Sequence, residues 1–280
     1  MAVEVPAGVG KTALGVALIR AMESRRPDRL FDDPYAGAFL AAVPGMFDAQ
    51  ARAAAAEPGR RSFGVVLAVH TVLRTRFYDD HLLAAAGDGI RQVVLLAAGL
   101  DTRAYRLPWP DGTRLYELDL PEMLAFKHEI LAGTDAVARG DRRAVPVDLR
   151  EEWSGPLAAA GFDPAAPTAW LVEGLLIYLS ADEADRLLGT VGALSAAGSR
   201  IAFEYEDLDS DPVRAQIRGT PAMAEWTALW KGGLPDYPAW LAAHGWAPTV
   251  HDRAEIAAGY GRPLDWPAAG GFVTATLTRG

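Results

Sequence analysis

Four acids stand where acids do chemistry. Asp101, Asp119, Asp148 and Glu173 each follow a short apolar run that reads as a β-strand. In a sheet of parallel strands, ligands gather at the carboxyl ends, so an acid just past such a run faces a ligand. Asp119 lies twenty residues beyond Gly99, the separation at which a carboxylate accepts both hydroxyls of a ribose. Asp148 could take the amino group of an adenine. Between the first two runs, Ala97-Ala98-Gly99-Leu100-Asp101-Thr102 forms a small-residue turn that admits a ligand to the backbone. A dinucleotide fingerprint needs three glycines there, and two are missing. Asp101 would repel a pyrophosphate. It suits a cofactor that carries a cation and no phosphates, such as S-adenosylmethionine.

Other chemistries fit poorly. Gly10-Lys11-Thr12 matches the end of a phosphate-binding loop, but Val5 stands where the first glycine belongs. Only Met1 to Glu4 precede it, too few for the strand that such a loop needs. The segment reads instead as an amphipathic helix from Thr12. The chain has no cysteine, which removes disulfides, thiolate nucleophiles and sulfur-bound metals together. The histidines are scattered without metal-ligand spacing, so no metal is expected. A net charge of −9 argues against indiscriminate binding to nucleic acid or acidic lipid. With no leader pattern and no spanning apolar run, a cytoplasmic protein without membrane association is expected.

The elements that must position the acids begin near residue 92. Before that the pattern is helical: Thr12–Ser24, Pro34–Leu40 and Ser62–Ala85. From "QVVLLAAG" onward, short apolar runs alternate with helical stretches. "TRLYELDL", "RAVPVDL", "TAWLVEGLLIYL" and "SRIAFEYE" read as further strands, and Ser180 with Glu183 as a capping box. "WAPTVHD" and "GFVTATLTR" read as a closing antiparallel pair. This is a doubly wound α/β sheet of the Rossmann-like kind, expected to have seven strands. Residues 1–90 form an N-terminal helical region, expected to cover the cofactor site. Residues 91–280 form the core, with 205–240 as a lid insertion between the fifth and sixth strands, the whole expected to be one structural unit.

The segments "VVLLAAGLDTRAYRL", "YELDLPEMLAFKHEIL", "VPVDLREEW" and "LVEGLLIYLSADEADRLL" together resemble the leucine carboxyl methyltransferase family. The closer resemblance is to its actinobacterial branch of S-adenosylmethionine-dependent enzymes. It extends to the opening "GVGKTALGVALIRAMESRRPDRLFDDPYA". The resemblance implies a class I methyltransferase sheet in which Asp119 with Leu120 holds the ribose, Asp148 and Leu149 flank the adenine, and Glu173 lies near the methionine amino group. It assigns the methionine carboxylate to Arg74, or to Arg76 one register slip away, with Arg20 as a second basic contribution. Eukaryotic members carry G-x-G after the first strand; here Ala97 replaces the first glycine and Gly99 retains the second.

The implied reaction is O-methylation of a small molecule or peptide, with secondary metabolism a plausible setting. A carboxylate acceptor is ionised at neutral pH and needs no base, whereas an alcohol or phenol would need one. Tyr178, Glu204 and the histidines are then candidates that the sequence does not rank. The tryptophans at 226, 230, 240, 246 and 266 read as core before they read as an acceptor pocket. Two readings from other classes stand beside this one: a nicotinamide-dependent oxidoreductase on the same sheet, and a protein that binds the cofactor without turnover. The oligomeric state is not legible.

Overall fold

The structure is a computed structural model that describes residues 5–6, 9–47, 63–205, 229–266 and 270–278. It divides into two compact units: Met1–Arg76, Gly99–Leu107 and Pro121–Arg139 in one, and Phe77–Ala98, Pro108–Leu120 and Gly140–Gly280 in the other. The expected boundary near residue 90 therefore differs from this division, in which two later segments join the helical unit.

The larger unit holds every described strand. β1 (Gln92–Leu96), β2 (Arg114–Asp119), β3 (Asp141–Pro146), β4 (Thr168–Val172), β5 (Arg200–Tyr205), β6 (Trp246–Asp252) and β7 (Gly271–Leu277) form one sheet in the order β3-β2-β1-β4-β5-β7-β6. β1 to β5 pair in parallel, and β7 runs antiparallel to both β5 and β6. β1 and β4 are buried along their whole length, as their apolar runs after Gln92 and Thr168 require of central parallel strands.

One face of the sheet packs on two helices of this unit, α6 (Ser154–Ala159) and α7 (Ala181–Ala193), whose Leu157, Leu187, Leu188 and Val191 meet Val94, Trp170 and Ile201. Burying each such side chain stabilises by about 1.5–3 kcal/mol. The capping box read at α7 is present: Ser180 Oγ accepts from the Glu183 amide at 3.3 Å, and Glu183 accepts from the Ser180 amide at 2.7 Å. The other face meets the second half of α3 (Phe63–Gly87), where Phe77 stacks on Phe272 with ring centroids 4.6 Å apart. β6 is flanked by two further helices, α8 (Tyr237–Ala243) and α9 (Arg253–Gly259). Trp246 belongs to the apolar core, and Trp240 packs against it while donating to Asp185 at 2.7 Å. Trp226 and most of the expected lid lie outside the described residues.

The smaller unit is helical. It contains α1 (Val9–Ser24), α2 (Ala36–Ala41), the first half of α3, the short α4 (Arg103–Arg106) and α5 (Pro121–Ala132). Gly10, Lys11 and Thr12 lie in the first turn of α1, and among the described residues no strand precedes them, which a phosphate loop requires. Among the described residues, no helix is long and apolar enough to cross a membrane.

Candidate cofactor site

Strand register assembles a row of residues within the larger unit. Leu96 pairs with Leu118 on one side and with Val172 on the other, and Leu118 pairs with Val145. The next residues along, Ala97, Asp119 and Glu173, therefore share one row at the carboxyl edge of the sheet. The amide of Ala98 donates to the Leu118 carbonyl at 3.0 Å, and that of Val147 to the Asp119 carbonyl at 2.9 Å. These bonds prolong the ladder past the strands and fix the edge.

Asp119 is 8% exposed, and its Oδ1 accepts from the Leu120 amide at 2.7 Å. Ala97 has φ +53°, the left-handed region, and is the one non-glycine residue there among the described residues. The backbone thus keeps the conformation that a glycine would give, at a steric cost of about 1–2 kcal/mol. Strain of this kind is concentrated at ligand sites. The residues present fit an adenosyl group: a buried carboxylate for paired hydroxyls, beside a turn of small residues that holds a glycine conformation.

Asp148 is differently placed. Its two oxygens accept from the backbone amide and guanidinium of Arg150, at 2.5–3.1 Å. The Arg150 hydrogen bond draws its carboxyl below the ordinary range. A ligand amine would have to share this partner. Leu149 is partly buried against the core. Glu173 is partly buried at the turn after β4.

Glu204 holds that turn. Its Oε1 accepts from the Gly174 amide at 2.5 Å, and its Oε2 from the Tyr78 hydroxyl at 2.9 Å. Gly174 has φ +68°, which only glycine adopts without strain. Glu204, one of the base candidates, therefore clamps the backbone next to Glu173. Tyr237 lies close by: burial pushes its phenol up to about 12, opposed by the Leu234 amide that donates to it, with the Glu204 charge adding a smaller upward push. Tyr78 and Tyr237 were not read from the sequence, because a tyrosine in a helical pattern carries no sign of a partner 126 residues away. Tyr178 ends a 3₁₀ turn, Leu176–Tyr178, and is partly buried.

In the helical unit, the cations and acids chosen from the sequence are built into a buried network. Asp101 accepts from the Arg103 amide at 2.6 Å and pairs with its guanidinium. Burial alone would raise the Asp101 carboxyl; Arg103, Lys127, Arg20 and Arg106 oppose it and bring it down to about 2. Asp101 is thus an ionised acid whose oxygens are engaged by its own unit. Arg20 donates to the Leu100 carbonyl at 2.6 Å and lies 3.4 Å from Asp33, bracing the turn beside Gly99. Arg76 donates to the Leu30 carbonyl at 2.7 Å. Arg74 is buried in the same unit. Lys127, fully buried on α5, was missed in the sequence, where it reads as one polar position of a helix.

A doubly wound sheet whose seventh strand enters antiparallel between the fifth and sixth, with acids at its carboxyl edge, is the class I methyltransferase architecture. A family model described as leucine carboxyl methyltransferase matches residues 13–192, and the chain belongs to that family. A Frankia alni protein, named as a proposed S-adenosyl-L-methionine-dependent methyltransferase, is 52% identical over 98% of this chain and 96% of its own. A Streptomyces avermitilis protein with the same kind of name is 44% identical over 96% of each chain. Among solved structures, a DUF574 family protein from Streptomyces avermitilis superposes with a TM-score of 0.59 at 15% identity, covering 95% of this chain and 96% of its own. A Thermobifida fusca structure, titled as a proposed methyltransferase, gives 0.55 at 16% identity, over 94% and 95%. At those identities the structures speak for the fold alone.

Proposed function

We propose that the chain is an S-adenosylmethionine-dependent O-methyltransferase that acts on a carboxylate of a small molecule or peptide. Its family and its most similar relatives support the class of enzyme. The observation that carries the cofactor is Asp119, buried at the end of β2 in one row with the left-handed Ala97 turn. Asp119 would hold the ribose, and Glu173 would lie near the methionine amino group. When bound, the cofactor supplies an electrophilic methyl on a sulfonium. The protein's part is to orient, to exclude water and to hold the acceptor at attack distance. A carboxylate acceptor needs no proton removed. The engagement of both Glu204 oxygens as a backbone clamp favours such a base-free reaction over a phenol or alcohol acceptor.

Calorimetric titration with S-adenosylhomocysteine tests the reading. Binding to the wild type, weakened more than about tenfold in Asp119→Ala by loss of charge-assisted hydrogen bonds, is expected. Binding of NADH instead, or unchanged affinity in the variant, would sink it. Transfer of labelled methyl to a panel of carboxylic acids, with phenols alongside, then separates the acceptor classes.

A further inference from the structure

The turn after β4, residues 174–179, is held from two sides within the larger unit. From β5, Glu204 accepts from the Gly174 amide at 2.5 Å. From the stretch ahead of α8, the amides of Lys231 and Gly232 donate to the Ile177 carbonyl at 2.8 and 3.1 Å, and the Gly233 amide to the Leu179 carbonyl at 2.9 Å. Within the turn, the Tyr178 amide donates to the Leu175 carbonyl at 2.9 Å, and the Leu179 amide to the Leu176 carbonyl at 3.1 Å. A surface turn can leave its carbonyls to water; this one commits those of Leu175, Leu176, Ile177 and Leu179 to protein amides.

The stretch ahead of α8 lies against the turn as a strap, and its sequence lets it lie close. Gly232 and Gly233 have φ +99° and +68°, left-handed backbone that glycine adopts without strain. A Cβ at Gly233 would stand 1.9 Å from the Tyr237 hydroxyl and 3.0 Å from the Leu176 carbonyl oxygen. The Tyr237 hydroxyl accepts from the Leu234 amide at 3.1 Å. Its ring meets that of Phe203, the neighbour of Glu204 on β5, at 5.1 Å. Lys231 Nζ reaches Glu183, which closes the capping box of α7, at 2.8 Å. An ion pair this open to water contributes little stability; it fixes where the strap begins.

The turn so held starts beside Glu173 and carries Tyr178, both half-buried. A side chain that recognises one group of a ligand must be held to within about 0.5 Å, and a loop reaches that precision only with support from rigid elements. Here Glu204 ties the start of the turn to β5, and the strap ties its end to α7 and α8.

We propose that Lys231–Leu234 is a positioning strap for the turn that carries Glu173, with Gly233 and Tyr237 as its positioning residues, and that it sets how well the site reads the amino group of the cofactor. The proposal rests on the cofactor reading above. The test is calorimetry on the full chain with S-adenosylhomocysteine and its deamino analogue, 5′-S-(3-carboxypropyl)-5′-thioadenosine. The wild type prefers S-adenosylhomocysteine by on the order of tenfold, as a charged hydrogen bond to the amino group requires. In Gly233→Ala the preference falls to about threefold or less, because misplacement lowers the affinity for S-adenosylhomocysteine and leaves that of the analogue. Tyr237→Phe, which keeps the core ring and removes only the acceptor of the Leu234 amide, moves the preference the same way by a smaller factor. In a Glu173→Gln background Gly233→Ala has no further effect on either ligand. A strap that merely stabilises the fold would lower both affinities together and in both backgrounds, and that result overturns the proposal. So does a wild-type preference that survives in Gly233→Ala and Tyr237→Phe. A wild type that binds neither ligand overturns the cofactor reading itself, and the strap's role with it.

Discussion

An acid at a strand end can serve a ligand or serve the protein; the first is proposed for Asp119, and Asp101 does the second. Both are buried, and both follow the apolar runs that draw attention to them. Asp101 is engaged by Arg103 within its own unit, whereas Asp119 takes its place on the edge row next to the Ala97 turn. Ala97 shows how one residue can depart from a family pattern without changing its geometry. At φ +53° the alanine Cβ is strained. Ala97→Gly relieves that strain but adds freedom to the unfolded chain, and the two effects oppose. A net gain of up to about 1 kcal/mol is expected, a rise of roughly 2 °C or more in the unfolding midpoint, with cofactor affinity kept. A fall in midpoint would show that the alanine methyl makes packing contacts worth more than the strain. Sequence identified Ala97 as a departure; the left-handed backbone that makes the departure matter has no signature in residue types.

At the scale of elements, the clearest device is the clamp that joins β5, α3 and the turn after β4. Removing the Glu204 carboxylate leaves the Gly174 amide and the buried Tyr78 hydroxyl without these bonds. Glu204→Ala should therefore cost about 2–4 kcal/mol, read from urea midpoints. Glu204→Gln can still accept from Gly174 and donate to Tyr78. It should recover most of the stability and most of the methyl transfer. A general base gives the opposite pattern, with full stability and transfer lost more than a hundredfold in Glu204→Gln, of the order expected for general-base catalysis. The elements that bear the clamp were legible: β4 and β5 read as short apolar runs, and α3 as a long helical pattern. β3 begins two residues before the segment read in the sequence, because pairing with β2 extends it through Asp141 and Arg142. α6 and α9 are short and were not read, since six or seven residues carry too little periodicity.

For the whole molecule, buried titrating groups set how stability follows pH, and two of them act in separate windows. The ordinary histidine value is 6.5, and His81 is held near 4. The folded state therefore refuses a proton that the unfolded chain accepts. The contribution is intact above pH 6.5 and is lost as pH falls toward 4, by up to roughly 3 kcal/mol. Asp101 has its carboxyl depressed from 3.8 to about 2. Its stabilisation, roughly 2 kcal/mol, persists through the histidine window and disappears between about pH 4 and pH 2. Urea midpoints for the wild type, His81→Gln and Asp101→Asn at pH 7, 5, 4 and about 2.5 separate the effects. The wild type should lose more than the variant between pH 7 and 4, and Asp101→Asn should keep the upper window while flattening the lower one. Parallel curves for wild type and His81→Gln would mean that His81 titrates near its ordinary value, with its ring open to water. The sequence shows five histidines without rank and an overall charge of −9. Which of them is buried beside Arg200 and His251 follows from packing between α3 and the sheet, contacts that only the folded chain defines.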